Sequence, residues 1–106
     1  MIDVFDAQLE LFRAGDYDTL YGNYSPTFRQ QCTQAALVAS IEATGIDPER
    51  LGFRNVRAAV EGDIARLTYT SLYDEQAVDI VDETEADIFV RVDGRWYDEV
   101  DLRTHC

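Results

Sequence analysis

Very few side chains in this sequence could do chemistry. The only histidine, His105, stands beside the C-terminus, where it reads as a solvated end residue rather than a general base. No serine or threonine has a histidine in plausible reach, so a hydroxyl nucleophile would have nothing to activate it. The acidic run Asp82-Glu83-x-Glu85-x-Asp87 lacks the Asp-x-Asp-x-Asp-Gly loop of calcium sites and alternates along a strand, so it reads as surface. The 6 glycines sit at separate corners and build no phosphate cradle. Cys32 and Cys106 are 74 positions apart and fit no CxxC or zinc pattern. They are either two free thiols or a pair, and a bond closing so long a loop would stabilise by about 4.5 kcal/mol in the chain-entropy model. What remains is Asp98, an acid the strand pattern turns inward between Trp96 and Val100, and the aromatics Tyr17, Tyr21, Tyr24, Phe28, Tyr69 and Trp96. These rings are core material first and pocket lining second.

The elements that must position these residues are helices first and strands after. Asp3 can cap a helix over roughly 4–14, because Val4, Phe5, Leu9 and Phe12 recur at helical spacing and Gly15 can end it. Asp16 recaps a short helix with Tyr17, Leu20 and Tyr21, and Ser25-Pro26 starts a third segment carrying Phe28 and Cys32. Thr33 can cap a further helix to Ala43, stopped by Gly45, and Asp47-Pro48 is turn chemistry.

Beyond it the apolar period shortens toward two, as in a sheet. A two-residue loop at Gly62-Asp63 sets Val60 opposite Ala65, Ala58 opposite Leu67 and Val56 opposite Tyr69, making one apolar face. The last hairpin turns at Asp93-Gly94. A two-residue loop there mixes faces, with Ile88 opposite Glu99 and Val90 opposite Tyr97. A three-residue loop, Val92-Asp93-Gly94, restores an apolar side by setting Val90 opposite Trp96 and Ala86 opposite Val100. It leaves Glu85, Asp87, Phe89 and Arg91 outside.

The chain has 106 residues, 46% of them hydrophobic and 28% charged, which fits a single globular domain over 1–106. No apolar run reaches the roughly 18 to 20 residues that cross a bilayer, so no direct membrane insertion of this domain is expected. Nine basic residues, all arginine, face 21 acidic ones. The formal charge of -12 repels nucleic acid and anionic headgroups. Neither a metal nor a cofactor is expected.

Phe12-Arg-Ala-Gly-Asp-Tyr17, Leu20, Tyr24-Ser-Pro26, Phe28-Arg29, Gly62-Asp-Ile-Ala-Arg-Leu67 and Asp93-Gly-Arg-Trp96 together resemble the nuclear-transport-factor-2-like superfamily, especially its small bacterial extracytoplasmic members. The resemblance spans nearly the whole chain and rests on turn and core residues. It implies an α+β fold, with N-terminal helices packed on a curved antiparallel sheet as a cone. It also implies a disulfide between Cys32 and Cys106, and an exported or membrane-tethered setting whose signal would lie outside this chain.

Ketosteroid isomerases of that superfamily use an acidic base with hydrogen-bond donors inside the cone. Here their first-helix tyrosine falls at Gln8, and the segment Ser25–Cys32, where their base lies, holds no carboxylate. The expectation is therefore a non-catalytic module binding a small apolar ligand or a protein. Its pocket would be lined by Phe12, Tyr24, Phe28, Tyr69, Trp96 and Asp98. Asp98 either pairs with an arginine such as Arg29, the preferred reading since buried acids need partners, or anchors a ligand. The alternatives are an isomerase or lyase using Asp98 as acid or base, and a structural domain forming a homodimer through the sheet.

Overall fold

Three of the helix starts are set by a single side-chain oxygen each. Asp16 accepts from the Thr19 N–H at 3.3 Å, Ser25 from Phe28 at 3.1 Å and Thr33 from Ala36 at 3.1 Å, each satisfying a donor that the first helical turn leaves unpaired. The computed structural model describes residues 2–99; Val100, His105 and Cys106 lie outside the described residues. In order come α1 (Ile2–Ala14), α2 (Tyr17–Gly22), α3 (Pro26–Gln31), α4 (Gln34–Ala43) and a 3-10 turn (Pro48–Arg50). The strands β1 (Leu51–Glu61), β2 (Ile64–Tyr73), β3 (Gln76–Val81), β4 (Asp87–Val92) and β5 (Arg95–Glu99) follow. Asp3 lies in the first turn of α1 rather than before it, because the helix begins at Ile2; there its charge favours the positive helix end. Gly15, at φ +69°, turns the chain out of α1 while the Asp16 N–H bonds the Leu11 carbonyl.

The strands form one curved antiparallel sheet in the order β1-β2-β4-β5, with β3 paired to the far half of β2. The first hairpin has Val60 opposite Ala65 and Ala58 opposite Leu67. Further along, Asn55 and Val56 together face Tyr69 in a bulge, with Asn55 in the left-handed region at φ +56°. Such a bulge bends and twists its strand. Val60 is 53% exposed although Ala65 opposite it is fully buried, so near the turn the buried face continues on β2 and not on β1.

The last hairpin corrects the expected register. Val92 pairs with Arg95, Arg91 with Trp96, Val90 with Tyr97, Phe89 with Asp98 and Ile88 with Glu99, so the loop is the two-residue Asp93-Gly94. Both loop residues have positive φ, 52° and 80°, a turn whose twist matches the flanking strands. Asp87, Phe89 and Arg91 therefore share the concave face with Trp96 and Asp98, while Ile88 and Val90 share the outer face with Ile64 and Arg66. Packing agrees: Phe89 is fully buried opposite Ala65, whose small side chain leaves room for the ring.

Two apolar clusters hold the layers together. Phe5 of α1 meets Ala65, Leu67 and Phe89 of the sheet, with Trp96 packed against them. Phe28, Cys32 and Leu37 form a second cluster among the helices. Arg13 joins the layers by donating to the carbonyls of Pro48 at 3.1 Å and Leu51 at 2.7 Å. No helix among the described residues is long and apolar enough to cross a membrane.

Candidate functional site

Helical spacing puts Phe5, Gln8, Leu9 and Phe12 on one face of α1, and that face looks onto the concave side of the sheet. Between them lies an open cavity of about 210 Å³, lined also by Leu20 and Tyr24, Ile41 of α4, Leu51 and Phe53 of β1, Tyr69 of β2, Asp87 of β4 and Asp98 of β5. The Phe5 ring centre lies 4.9 Å from those of both Phe53 and Tyr69, tilted against each, making an aromatic wall. A wider groove of about 740 Å³ shares Tyr24, Tyr69, Asp87 and Asp98 with the cavity and extends along Ser40, Thr44 and Thr84–Glu85.

Asp98 is held by its backbone. Its N–H donates to the Asn23 carbonyl at 2.8 Å and its carbonyl accepts from the Ser25 N–H at 2.9 Å, so the link between α2 and α3 runs beside β5 as a parallel bridge at Tyr24. The Gln8 side-chain amide donates to Asp98 Oδ2 at 3.1 Å. Burial is the main influence on this carboxyl and pushes it up to about 7; the Gln8 bond works against that, while the negative charges of Asp87 and Glu99 add to it.

Nearby, the Tyr69 hydroxyl donates to Asp87 Oδ2 at 2.8 Å. Burial first, then the adjacent carboxylates, raise both the Tyr69 and the Tyr24 phenol above the ordinary tyrosine value, so both keep their protons. The cavity thus has an apolar, aromatic body and a polar end made of two carboxyls, two phenols and one amide.

Of the residues expected to line a pocket, Phe12, Tyr24, Tyr69 and Asp98 border this cavity. Phe28 does not: it is fully buried behind Tyr24, whose ring lies 4.9 Å away. Trp96 lies on the same sheet face but packs against the Phe5 cluster, with the Arg91 guanidinium 5.2 Å from its ring. Arg29 does not pair with Asp98. It donates to the Tyr24 carbonyl at 3.0 Å and sits 5.7 Å from the Tyr97 ring, so the partner of the acid is Gln8. Asp87, expected on the surface, lines the cavity because the two-residue turn reverses the parity of β4. Carboxyls therefore reach the cavity from β4 and β5, although Ser25–Cys32 has none.

Sequence reasoning undervalued Gln8 and Asp87. Gln8 was legible from its i+3 and i−4 spacing to Phe5 and Phe12, whereas Asp87 could be found only through the correct turn. Cys32 is buried beside Phe28 and Leu37; its expected partner Cys106 is outside the described residues. Among the described residues no group of three or more His, Cys, Asp or Glu could hold a metal ion.

No protein-family model, no curated protein and no solved structure matches this chain.

Proposed function

We propose that this domain binds a small, mainly apolar molecule in the cavity between α1 and the concave sheet face. The observation that carries the reading is an aromatic cavity of about 210 Å³ ending in convergent polar groups, the usual anatomy of a small-molecule site. At about 30 Å³ per displaced water, the space suits a ligand of roughly seven to ten non-hydrogen atoms. Titration of the labelled protein with small monocyclic compounds, followed by NMR, tests it. Saturable shifts at the Gln8 side-chain amide and at Phe53 and Tyr69 are expected, and they should vanish in Leu9→Trp, which fills the space. Absence of any saturable shift at millimolar ligand would end the reading.

One observation favours a second reading, an isomerase or lyase. A carboxyl pushed up to about 7 by burial borders the cavity, and a group that exchanges its proton near neutral pH suits acid–base chemistry on a bound molecule. Turnover that disappears in Asp98→Asn while ligand binding persists would establish it. The helix-first order and the curved sheet support membership of the nuclear-transport-factor-2-like superfamily. With it come an exported or membrane-tethered setting and a Cys32–Cys106 bond, for which the burial of Cys32 is the supporting feature.

A further inference from the structure

The convex side of the sheet gathers arginines that the chain leaves without partners. Arg13, Arg50 and Arg91 each hold a carboxylate, that of Glu10, Asp74 and Asp63 respectively. The side chains of Arg54, Arg57 and Arg66 have neither a hydrogen bond nor an ion pair among the described residues, and all three are exposed. Register sets Arg54 opposite Thr70, Arg57 opposite Thr68, and Arg66 between Ala59 and Ile88, all on the face away from the helices. Arg57 and Arg66 are thus diagonal neighbours, about 7–8 Å apart. Strict alternation would send Arg54 and Arg57, three positions apart, to opposite faces. The bulge at Asn55 takes up the extra residue and brings both to the convex side. Ile80, 71% exposed and opposite Thr70, flanks the cluster on one side, and Ile64, 43% exposed and next along β2 from Arg66, on the other.

We infer that this convex face docks an acidic polypeptide segment of another protein, with its carboxylates on Arg54, Arg57 and Arg66 and its aliphatic side chains on Ile64 and Ile80. The surface is separate from the cavity, so the inference stands apart from the ligand-binding reading.

Charge complementarity carries it. Three like charges crowded on one face repel one another, yet a chain with 21 acidic residues leaves them unneutralised. A guanidinium takes a carboxylate through two parallel N–H···O bonds, and arginine is among the residues that most often dominate binding at protein interfaces. A second copy presenting the same face does not supply the counter-charge. Register puts Arg95, Glu61 and Glu99 there too, four arginines against two acids, so pairing two such faces doubles a positive excess. Nucleic acid and an anionic bilayer present extended arrays of phosphate to the whole molecule, whose formal charge of -12 opposes them. A short segment brings its carboxylates to the arginines alone, and screening over about 8 Å at physiological ionic strength hides the acids beyond.

NMR titration of the isotope-labelled protein with a short peptide alternating glutamate and leucine tests this, beside its lysine–leucine counterpart, single-stranded DNA and phosphatidylglycerol vesicles. Saturable shifts at the backbone amides of Arg54, Arg57, Arg66 and Thr68 are expected with the acidic peptide, at submillimolar affinity in about 50 mM salt. The double variant Arg57→Glu with Arg66→Glu should lose about tenfold or more, a difference of about 1.4 kcal/mol, and the milder Arg57→Gln with Arg66→Gln about threefold or more. Leu9→Trp, which fills the cavity, should bind the peptide as the wild type does; loss of binding there would place the peptide in the cavity and overturn the inference. Absence of saturable shifts with the acidic peptide, affinity undiminished in both arginine variants, or equal binding of the lysine peptide would overturn it as well. DNA or vesicles held more tightly than the acidic peptide through the same arginines would do so in favour of a phosphate polyanion.

Discussion

Replacing Asp98 by asparagine should make the protein more stable at alkaline pH and leave it unchanged in acid. Burial holds the folded carboxyl at about 7, against an ordinary value of 3.8 that the unfolded chain would show. The folded state therefore binds this proton more tightly than the unfolded state does. The associated stability is fully present below 3.8, declines as pH rises through the interval up to about 7, and is absent above it. A gap of about three pH units, at about 1.4 kcal/mol per unit, gives about 4 kcal/mol as an upper limit. Asp98 borders the cavity, so water reaching the carboxylate lowers the expected value to about 2–4 kcal/mol. Asparagine has the same shape, cannot ionise, and can still accept the Gln8 N–H through its Oδ1. Urea melts of both proteins at several pH values, analysed with a common slope, measure the difference. Curves that coincide near pH 3.5 and separate by about 2–4 kcal/mol at pH 8 are expected. A variant no more stable than wild type at pH 8 would mean that ionised Asp98 is well partnered, and burial would not be the main influence on its carboxyl.

The corrected register of β4 predicts that Phe89→Ala costs about 3–5 kcal/mol while Val92→Ala, 39% exposed on the outer face, stays within about 0.5 kcal/mol in the same melts. At the β1 bulge, Asn55→Val should cost about 1–2 kcal/mol, because a β-branched side chain resists positive φ, whereas Asn55→Gly should be nearly neutral. If Cys32 and Cys106 are bonded, intact mass after alkylation of protein from an oxidising compartment should show no added label without reductant and two labels with it; two labels in both conditions would sink the pairing.

Local chemistry made much of this fold legible. Asp16, Ser25 and Thr33 begin helices where their side chains can reach the N–H three residues on, and Gly62-Asp63 sets its hairpin by length alone. The Asp93-Gly94 turn misled for a physical reason. Requiring every inward residue to be apolar treats the concave face as solid core, but at Asp87 and Asp98 that face borders a cavity, where a carboxyl is tolerated. Turn twist and the fit of Phe89 over Ala65 outweigh the tidier alternation that would bury Ile88 and Val90. Helical spacing placed Gln8 beside Phe5 and Phe12, yet its bond to Asp98 joins residues 90 positions apart, and no local pattern encodes such a contact.

The backbone bridge at Tyr24 also bears on how copies of this protein behave in concentrated solution. By taking up the N–H and carbonyl of Asp98, the Asn23–Ser25 segment leaves β5 little free backbone with which to recruit a foreign strand. β3 has no such cover among the described residues. It pairs with β2 alone and displays Val78 at 62% and Ile80 at 71% exposure on either side of Asp79. Asp79 and the formal charge of -12 hold such edges apart, but that repulsion reaches only about 8 Å at physiological ionic strength and about 3 Å in molar salt. Self-association of the protein should therefore increase with added salt, begin along β3, and be suppressed by a lysine in place of Val78.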